Sequence, residues 1–383
     1  MVQRSKDEAD KHAEAAVTDE HQSPTDWFSK PGDSIRALMQ RRCISAKELA
    51  QQFDGGLAVV RGLLDGSTAI DEVIAAILAT TLGGTVSFWL KRQSNYERAL
   101  DRAVQVAANS GADNWFRRVP GPGDRLRGPP SAKRVDEELR RRLVFYNVSN
   151  LETWENRYGR LIGQTRFRTS PTYQSIDDAV LVWLRRGELE ADLVSTRPWN
   201  SGNLEDRLPA IRKLSQISQP SRFLPKLREI CAEAGVAVVI VKAPQGCRAS
   251  GATRLITSDK AMVLLSFRFR ADDQFWFTLF HELGHLLLHG AGTFVDDEAT
   301  PESESEKEAN EFASSCIVPD NRRSEFRRLS ADRDAVVRFS VSLGVSPGLT
   351  VGQMQHFKMI GHNQLNSLKR RWTWGSIESA LTL

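Results

Sequence analysis

The stretch Phe275–His289, FWFTLFHELGHLLLH, decides how this chain is read. Its length and composition make it the strongest helix signal in the sequence. Phe275, Trp276, Phe277, Leu279, Phe280, Leu283, Leu286, Leu287 and Leu288 surround it with apolar side chains, so the helix is buried on nearly every face. His281, Glu282 and His285 stand inside that apolar surface. Two imidazoles and a carboxylate in a buried helix are costly unless they have partners. A spacing of four residues puts both imidazoles on one face, one turn apart, close enough to hold a single ion. Glu282, next in sequence to His281, reaches a water at the ion's open position without ligating the ion itself. Neutral imidazole and carboxylate donors suit zinc, which does no redox chemistry. The ion lowers the pKa of its water toward about 7, Glu282 takes the proton, and a polarised peptide carbonyl is attacked. The competing reading is two core histidines satisfied by hydrogen bonds.

A catalytic zinc needs a third protein ligand. His289 lies on the same helix face, but on a straight helix it sits about 12 Å from His281 along the axis, too far to share one ion. It is expected to hydrogen-bond nearby or to cap the helix end before Gly290. The acidic segment Glu302–Ala313 opens a second helix that ends before Pro319 and can return a carboxylate to the metal after a loop.

Outward from this motif, the 383 residues are enough for two or three domains, and 40% hydrophobic with 26% charged residues describes a globular protein with a core. No apolar run approaches the roughly 18 to 20 residues that span a bilayer. Met1 to Asp26 is polar and lacks the apolar stretch of a secretory signal, which implies a cytoplasmic protein with no membrane partner. Cys43, Cys231, Cys247 and Cys316 form no C-x-x-C pair and suit reduced, mostly buried thiols. Nine Lys/Arg against four acids between Arg117 and Arg142 form a basic run, read as solvated surface.

Helical periodicity begins near Asp33. A second helix follows Ser45, which with Glu48 forms a capping box. A third runs through Val59, Val60, Leu63 and Leu64 to Asp65-Gly66, and further helical pattern covers Asp71–Leu82 and Ser87–Leu100. Residues 109–131, rich in Pro and Gly, read as a loop, and 132–190 as mostly helical. Phe223–Ala234 is a helix closed by Gly235, and Val236–Val241 and Ala261–Ser266 are strands.

FTLFHELGHLLLHG (Phe277–Gly290) followed by EKEANEFASSCIVP (Glu306–Pro319) resembles the ImmA/IrrE family of metallopeptidases. RASGATRLI (Arg248–Ile256), VLLSFRFRADDQFWF (Val263–Phe277) and LGVSPGLTVGQMQH (Leu343–His356) extend the resemblance over about Arg222–Trp374. It implies that Glu306, four residues before Asn310, is the third ligand beside His281 and His285, while Glu308 points elsewhere. It further implies Zn2+ as cofactor, Glu282 as the catalytic base, and a transcriptional repressor or similar protein as substrate.

SAKELAQQFDGGLAVVRGLLDGSTAI (Ser45–Ile70) and FWLKRQSNYERAL (Phe88–Leu100) resemble the Cro/C1-type (XRE) helix-turn-helix, which implies double-stranded DNA as a partner and a homodimer through that module. The recognition helix departs from the pattern, since Gly56, Leu57 and Ala58 stand where polar base-readers belong. Phosphate contacts fall to Arg36, Arg41, Arg42, Lys47 and Arg61. The expected fold is α+β. A disordered tail (1–25) precedes an all-α helix-turn-helix domain (26–104), a helical linker region (105–205), and a zincin-like α+β peptidase domain with a small sheet (206–383). The expected function is a zinc endopeptidase that controls gene expression. The alternative is an antitoxin-type DNA-binding regulator whose metal domain senses or is structural.

Overall fold

The computed structural model describes residues 29–123, 131, 134–159, 171–290, 293–296 and 303–381. The expected tail, 1–25, lies outside the described residues. The chain is α+β, mostly helical, with one small sheet.

The capping box at Ser45 and the helix end at Asp65-Gly66 form as expected, whereas the first helix begins two residues before the expected onset at Asp33. α1 (Pro31–Arg42) starts on a proline, whose fixed φ suits the first turn. α2 (Ala46–Ala50) starts at Ser45, whose Oγ accepts from the Glu48 amide at 3.2 Å while the Glu48 carboxylate accepts from the Ser45 amide at 2.7 Å. α3 (Gly56–Asp65) ends on Gly66, whose φ of 85° is the left-handed conformation glycine adopts most easily. With α4 (Glu72–Leu82) and the first turns of α5 (Val86–Asn109) they enclose Ile35, Leu49, Leu63, Leu78 and Trp89.

α5 runs past the expected end at Leu100 and through the expected boundary at 104. Its Tyr96, Leu100, Val104 and Ala107 enter a second core with Trp115, Phe116, Leu139, Leu143, Tyr146 and Trp154. The loop expected over 109–131 contains a helix, α6 (Ala112–Arg118), because Trp115 and Phe116 bury there; only from Pro120 onward does the Pro/Gly density apply. The basic run is also not simply solvated. Arg142 is buried, donates to the Val119 carbonyl and to Glu138, and lies over the Phe116 ring. Arg118 pairs with Glu155 and Arg140 with Asp101.

α7 (Val135–Tyr146), α8 (Leu151–Trp154) and a π turn (Glu155–Gly159) lead on, and α9 (Pro171–Ala191) crosses to the sheet. After α10 (Ser201–Leu214) and α11 (Pro220–Ala232) come β1 (Val236–Ile240), β2 (Gly251–Thr257) and β3 (Lys260–Leu265). β4 (Thr293–Asp296) completes the strand order β1-β3-β2-β4, with β1 and β3 parallel and the other pairs antiparallel. Side chains alternate between the faces: Val236, Val238, Val263 and Leu265 join the main core, while Ala237, Val239, Met262 and Leu264 pack on Val180, Trp183 and Leu184 of α9. Both faces are covered, which is why β1 and β3 read as unbroken apolar runs. β2, with its Gly, Thr and Arg, carries no such run.

α12 (Asp272–Leu288) lies under the sheet and packs against α13 (Glu304–Ile317). α14 (Arg323–Arg327), α15 (Arg333–Leu343), α16 (Pro347–His356) and α17 (Trp374–Leu381) close the unit. Two buried carboxylates anchor the start of α12, where the helix dipole favours negative charge. Asp272 accepts from Ser346 Oγ at 2.9 Å and from the Arg370 amide at 3.0 Å, and burial pushes its carboxyl up to about 6. Asp273 pairs with Lys369 at 2.5 Å. Gly348 and Gly352 let α16 lie directly on these carboxylates, where any side chain would collide. Among the described residues no single helix is long and apolar enough to cross a membrane.

Candidate metal centre

His281 and His285 project from α12 onto α13, and Glu306 projects back from the first turn of α13. Ser303 caps that turn through the Glu306 amide at 3.2 Å, which fixes the ligand's backbone. The close approach of the two helices depends on Gly284, since an added Cβ would stand 2.9 Å from the Phe312 ring.

The three donor groups form a triangle. His281 Nε2 lies 3.1 Å from His285 Nε2 and 3.1 Å from Glu306 Oε2, and His285 Nε2 lies 3.4 Å from Glu306 Oε1. Tetrahedral zinc with bonds of about 2.0–2.1 Å separates its ligand atoms by about 3.3 Å, so the triangle fits that ion. The outward nitrogens support the same reading. His281 Nδ1 lies 3.0 Å from Asn310 Oδ1, so it carries the proton and leaves Nε2 as an acceptor. Lone pairs and a carboxylate converging at such distances need a cation between them.

Electrostatics favour the metal-ready forms. Burial lowers the His285 pKa and keeps the ring neutral. Burial raises Glu306, but the two imidazoles it faces outweigh that and bring it to about 2. Glu282 is fully buried beside this triangle. Its carboxylate rests on Gly251 at the start of β2, where an added Cβ would collide with Glu282 Oε1, and its own carbonyl accepts from Thr253 Oγ1 at 3.1 Å. The strand thus packs against the Glu282 side chain and bonds its main chain.

His281, His285 and Glu306 therefore meet in one place, and Glu282, next in sequence to His281, is buried against β2. His289 is no member of the triangle; its Nδ1 lies 3.0 Å from His285 Nδ1. Asn310, Gly251 and Thr253 were not singled out as site residues. Asn310 had a signal, since it falls one turn beyond Glu306 on the same helix face, and so did Gly251 as a glycine inside a strand.

Two of the cations assigned to DNA phosphates pair with acids instead. Arg36 pairs with Asp192 at 2.5 Å, and Arg61 holds Glu190 with two bonds of 2.7 and 3.0 Å. Arg42 leans on the Thr81 carbonyl at 3.5 Å, and Arg41 and Lys47 are exposed. The start of α3 presents Gly56, Leu57 and Ala58, the last two exposed.

Residues 233–372 match the family model of the IrrE N-terminal-like domain, Peptidase_M78. The match spans the three donors and Glu282 and supports a metallopeptidase of the IrrE/ImmA type in this part of the chain. No curated protein matches the chain.

Proposed function

We propose that the chain is a zinc-dependent endopeptidase that cleaves a protein partner, a transcriptional repressor or a similar regulator, and so controls gene expression. The carrying observation is the donor triangle of His281, His285 and Glu306 beside a buried carboxylate at Glu282. A metal that served structure alone would have no need of that base.

His281, His285 and Glu306 would hold the ion. When bound, it supplies a Lewis acid that acidifies a water and polarises a peptide carbonyl. Glu282 receives the water's proton on its carboxylate and returns it to the leaving amine. The Gly251 cradle packs against that carboxylate, and the Thr253 bond holds the Glu282 main-chain carbonyl. Burial of the site excludes competing water and strengthens each interaction.

The N-terminal helices, read as a helix-turn-helix, would bring the peptidase to DNA or to the repressor. The apolar start of α3 makes sequence-specific base reading poor, so any DNA binding rests on phosphate contacts.

Metal analysis and a trap variant test this reading. The wild-type protein should carry one equivalent of zinc and cleave the partner that Glu282→Gln retains intact. The variant should keep its zinc, because Glu282 is not one of the three donors, and lose cleavage, because an amide of the same shape cannot accept the proton. Undiminished cleavage by Glu282→Gln removes that residue from the mechanism. Zinc with no cleavage of the trapped partner would favour a DNA-binding regulator with a sensing metal.

A further inference from the structure

We propose that His289 and Glu308 form a proton-ordering relay behind His285, which holds that ring in the tautomer able to bind metal. The inference rests on the metal site described above.

His285 Nδ1 faces His289 Nδ1 at 3.0 Å, and His289 Nε2 faces Glu308 Oε2 at 2.8 Å. A gap of 3.0 Å between two ring nitrogens holds one proton, so two neutral arrangements exist. In the first, His285 carries its proton on Nδ1 and donates it to His289 Nδ1. His289 then carries its proton on Nε2 and donates to Glu308. His285 Nε2 is left with a lone pair toward His281 and Glu306. In the second, His289 carries its proton on Nδ1, and His285 must carry its own on Nε2, in the space the ion needs. His289 Nε2 would then set a lone pair against the Glu308 carboxylate at 2.8 Å, two acceptors facing each other. The carboxylate therefore selects the first arrangement, and its preference passes through His289 to the metal ligand.

The two histidine ligands are thus ordered by different means from one helix. Asn310 acts directly on His281, whereas Glu308 acts on His285 through an intervening ring. This gives Glu308 a task that its position two residues from Glu306 did not announce. Glu308 is more than half exposed and His289 nearly buried, so His289 should matter more.

Zinc affinity of the full chain, measured by chelator competition at one pH, tests the relay. His289→Leu should weaken zinc by about ten- to a hundredfold, the usual range for such supporting groups. His289→Asn should recover most of that loss, because its amide oxygen takes the place of Nδ1 as an acceptor. Glu308→Ala should cost severalfold in the wild type and nothing further in His289→Asn, where no tautomer remains to be chosen. Nitrogen spectra of the zinc-loaded wild type should show His285 protonated at Nδ1 and His289 at Nε2. Wild-type affinity in His289→Leu overturns the relay. Equal losses in His289→Leu and His289→Asn also overturn it, since packing alone would explain them. A wild-type protein that binds no zinc instead overturns the metal site.

Discussion

The metal centre and the N-terminal helices both depend on charged side chains, but they use them differently. At the centre, three donor groups from two helices stand within 3.4 Å of their neighbours, and a residue of the opposing helix or the next turn holds each outward imidazole nitrogen. In the N-terminal helices no fixed spacing links the cations. Two of them are engaged by acids far along the chain, Arg36 by Asp192 and Arg61 by Glu190, at the end of α9 and just beyond it. Chemistry that requires a fixed geometry places its residues at fixed spacings, and spacing is visible in one dimension. A surface cation carries no such constraint, so its partner is chosen by whatever the fold brings near.

The sharpest test of this contrast sets Glu306→Ala against Arg61→Ala. Loss of the carboxylate should weaken zinc by more than the roughly hundredfold that supporting residues reach, and hydrolysis should fall with it. Arg61→Ala should leave zinc content unchanged, as metal analysis of both proteins would show. A matching loss in Arg61→Ala would mean that the two regions are not separable.

The next effect is on stability. Asp272 anchors α12 from a fully buried position, with its pKa raised from 3.8 to about 6. The folded protein therefore binds this proton more tightly than the unfolded chain does. Its contribution is fully present below about pH 4 and is lost as pH rises through 6. The stability difference between wild type and Asp272→Asn should change by on the order of 3 kcal/mol across that window, in the direction that favours wild type at low pH. Denaturant melts at a series of pH values measure it, and a flat difference would return Asp272 to the ordinary carboxylate range. The exposed pairs of the N-terminal helices should show no comparable dependence there.

Gly251→Ala separates the base from the metal. The new methyl group displaces Glu282, and a shift near 1 Å costs about a hundredfold in rate. Zinc content should not change. Loss of zinc in this variant would show that β2 supports the ligands as well as the base.

The smallest expected effect concerns DNA. If Arg36 and Arg61 meet phosphates, Asp192 and Glu190 compete with them. Each pair is partly exposed and stabilises by no more than about 1 kcal/mol, so Glu190→Gln with Asp192→Asn should strengthen duplex binding by less than about thirtyfold. The gain should be equal for unrelated duplexes and should steepen the salt dependence by about 0.9 log units per added phosphate contact. A gel-shift titration across salt measures both. No change would mean that these two arginines serve the contact with the α9 end alone.

Local signals settled part of this protein before any fold was known. The apolar surround of Phe275–His289 required a buried helix, and a four-residue spacing on that helix required His281 and His285 to meet. Ser45 with Glu48, and Gly66 with its left-handed φ, set helix ends through bonds or dihedrals that span three residues or fewer. Resemblance supplied Glu306 where spacing alone left several acids open. Other features are decided by contacts between distant segments. α6 exists because Trp115 and Phe116 find a core built from α5 and α7, and β2 is a strand because β3 and β4 pair with it on either side. The separations of 129 positions from Arg61 to Glu190 and 29 from His281 to Asn310 carry no periodic signal. A hydrogen bond acts over about 3 Å of space whatever the separation along the chain, so only the tertiary structure decides which donor meets which acceptor.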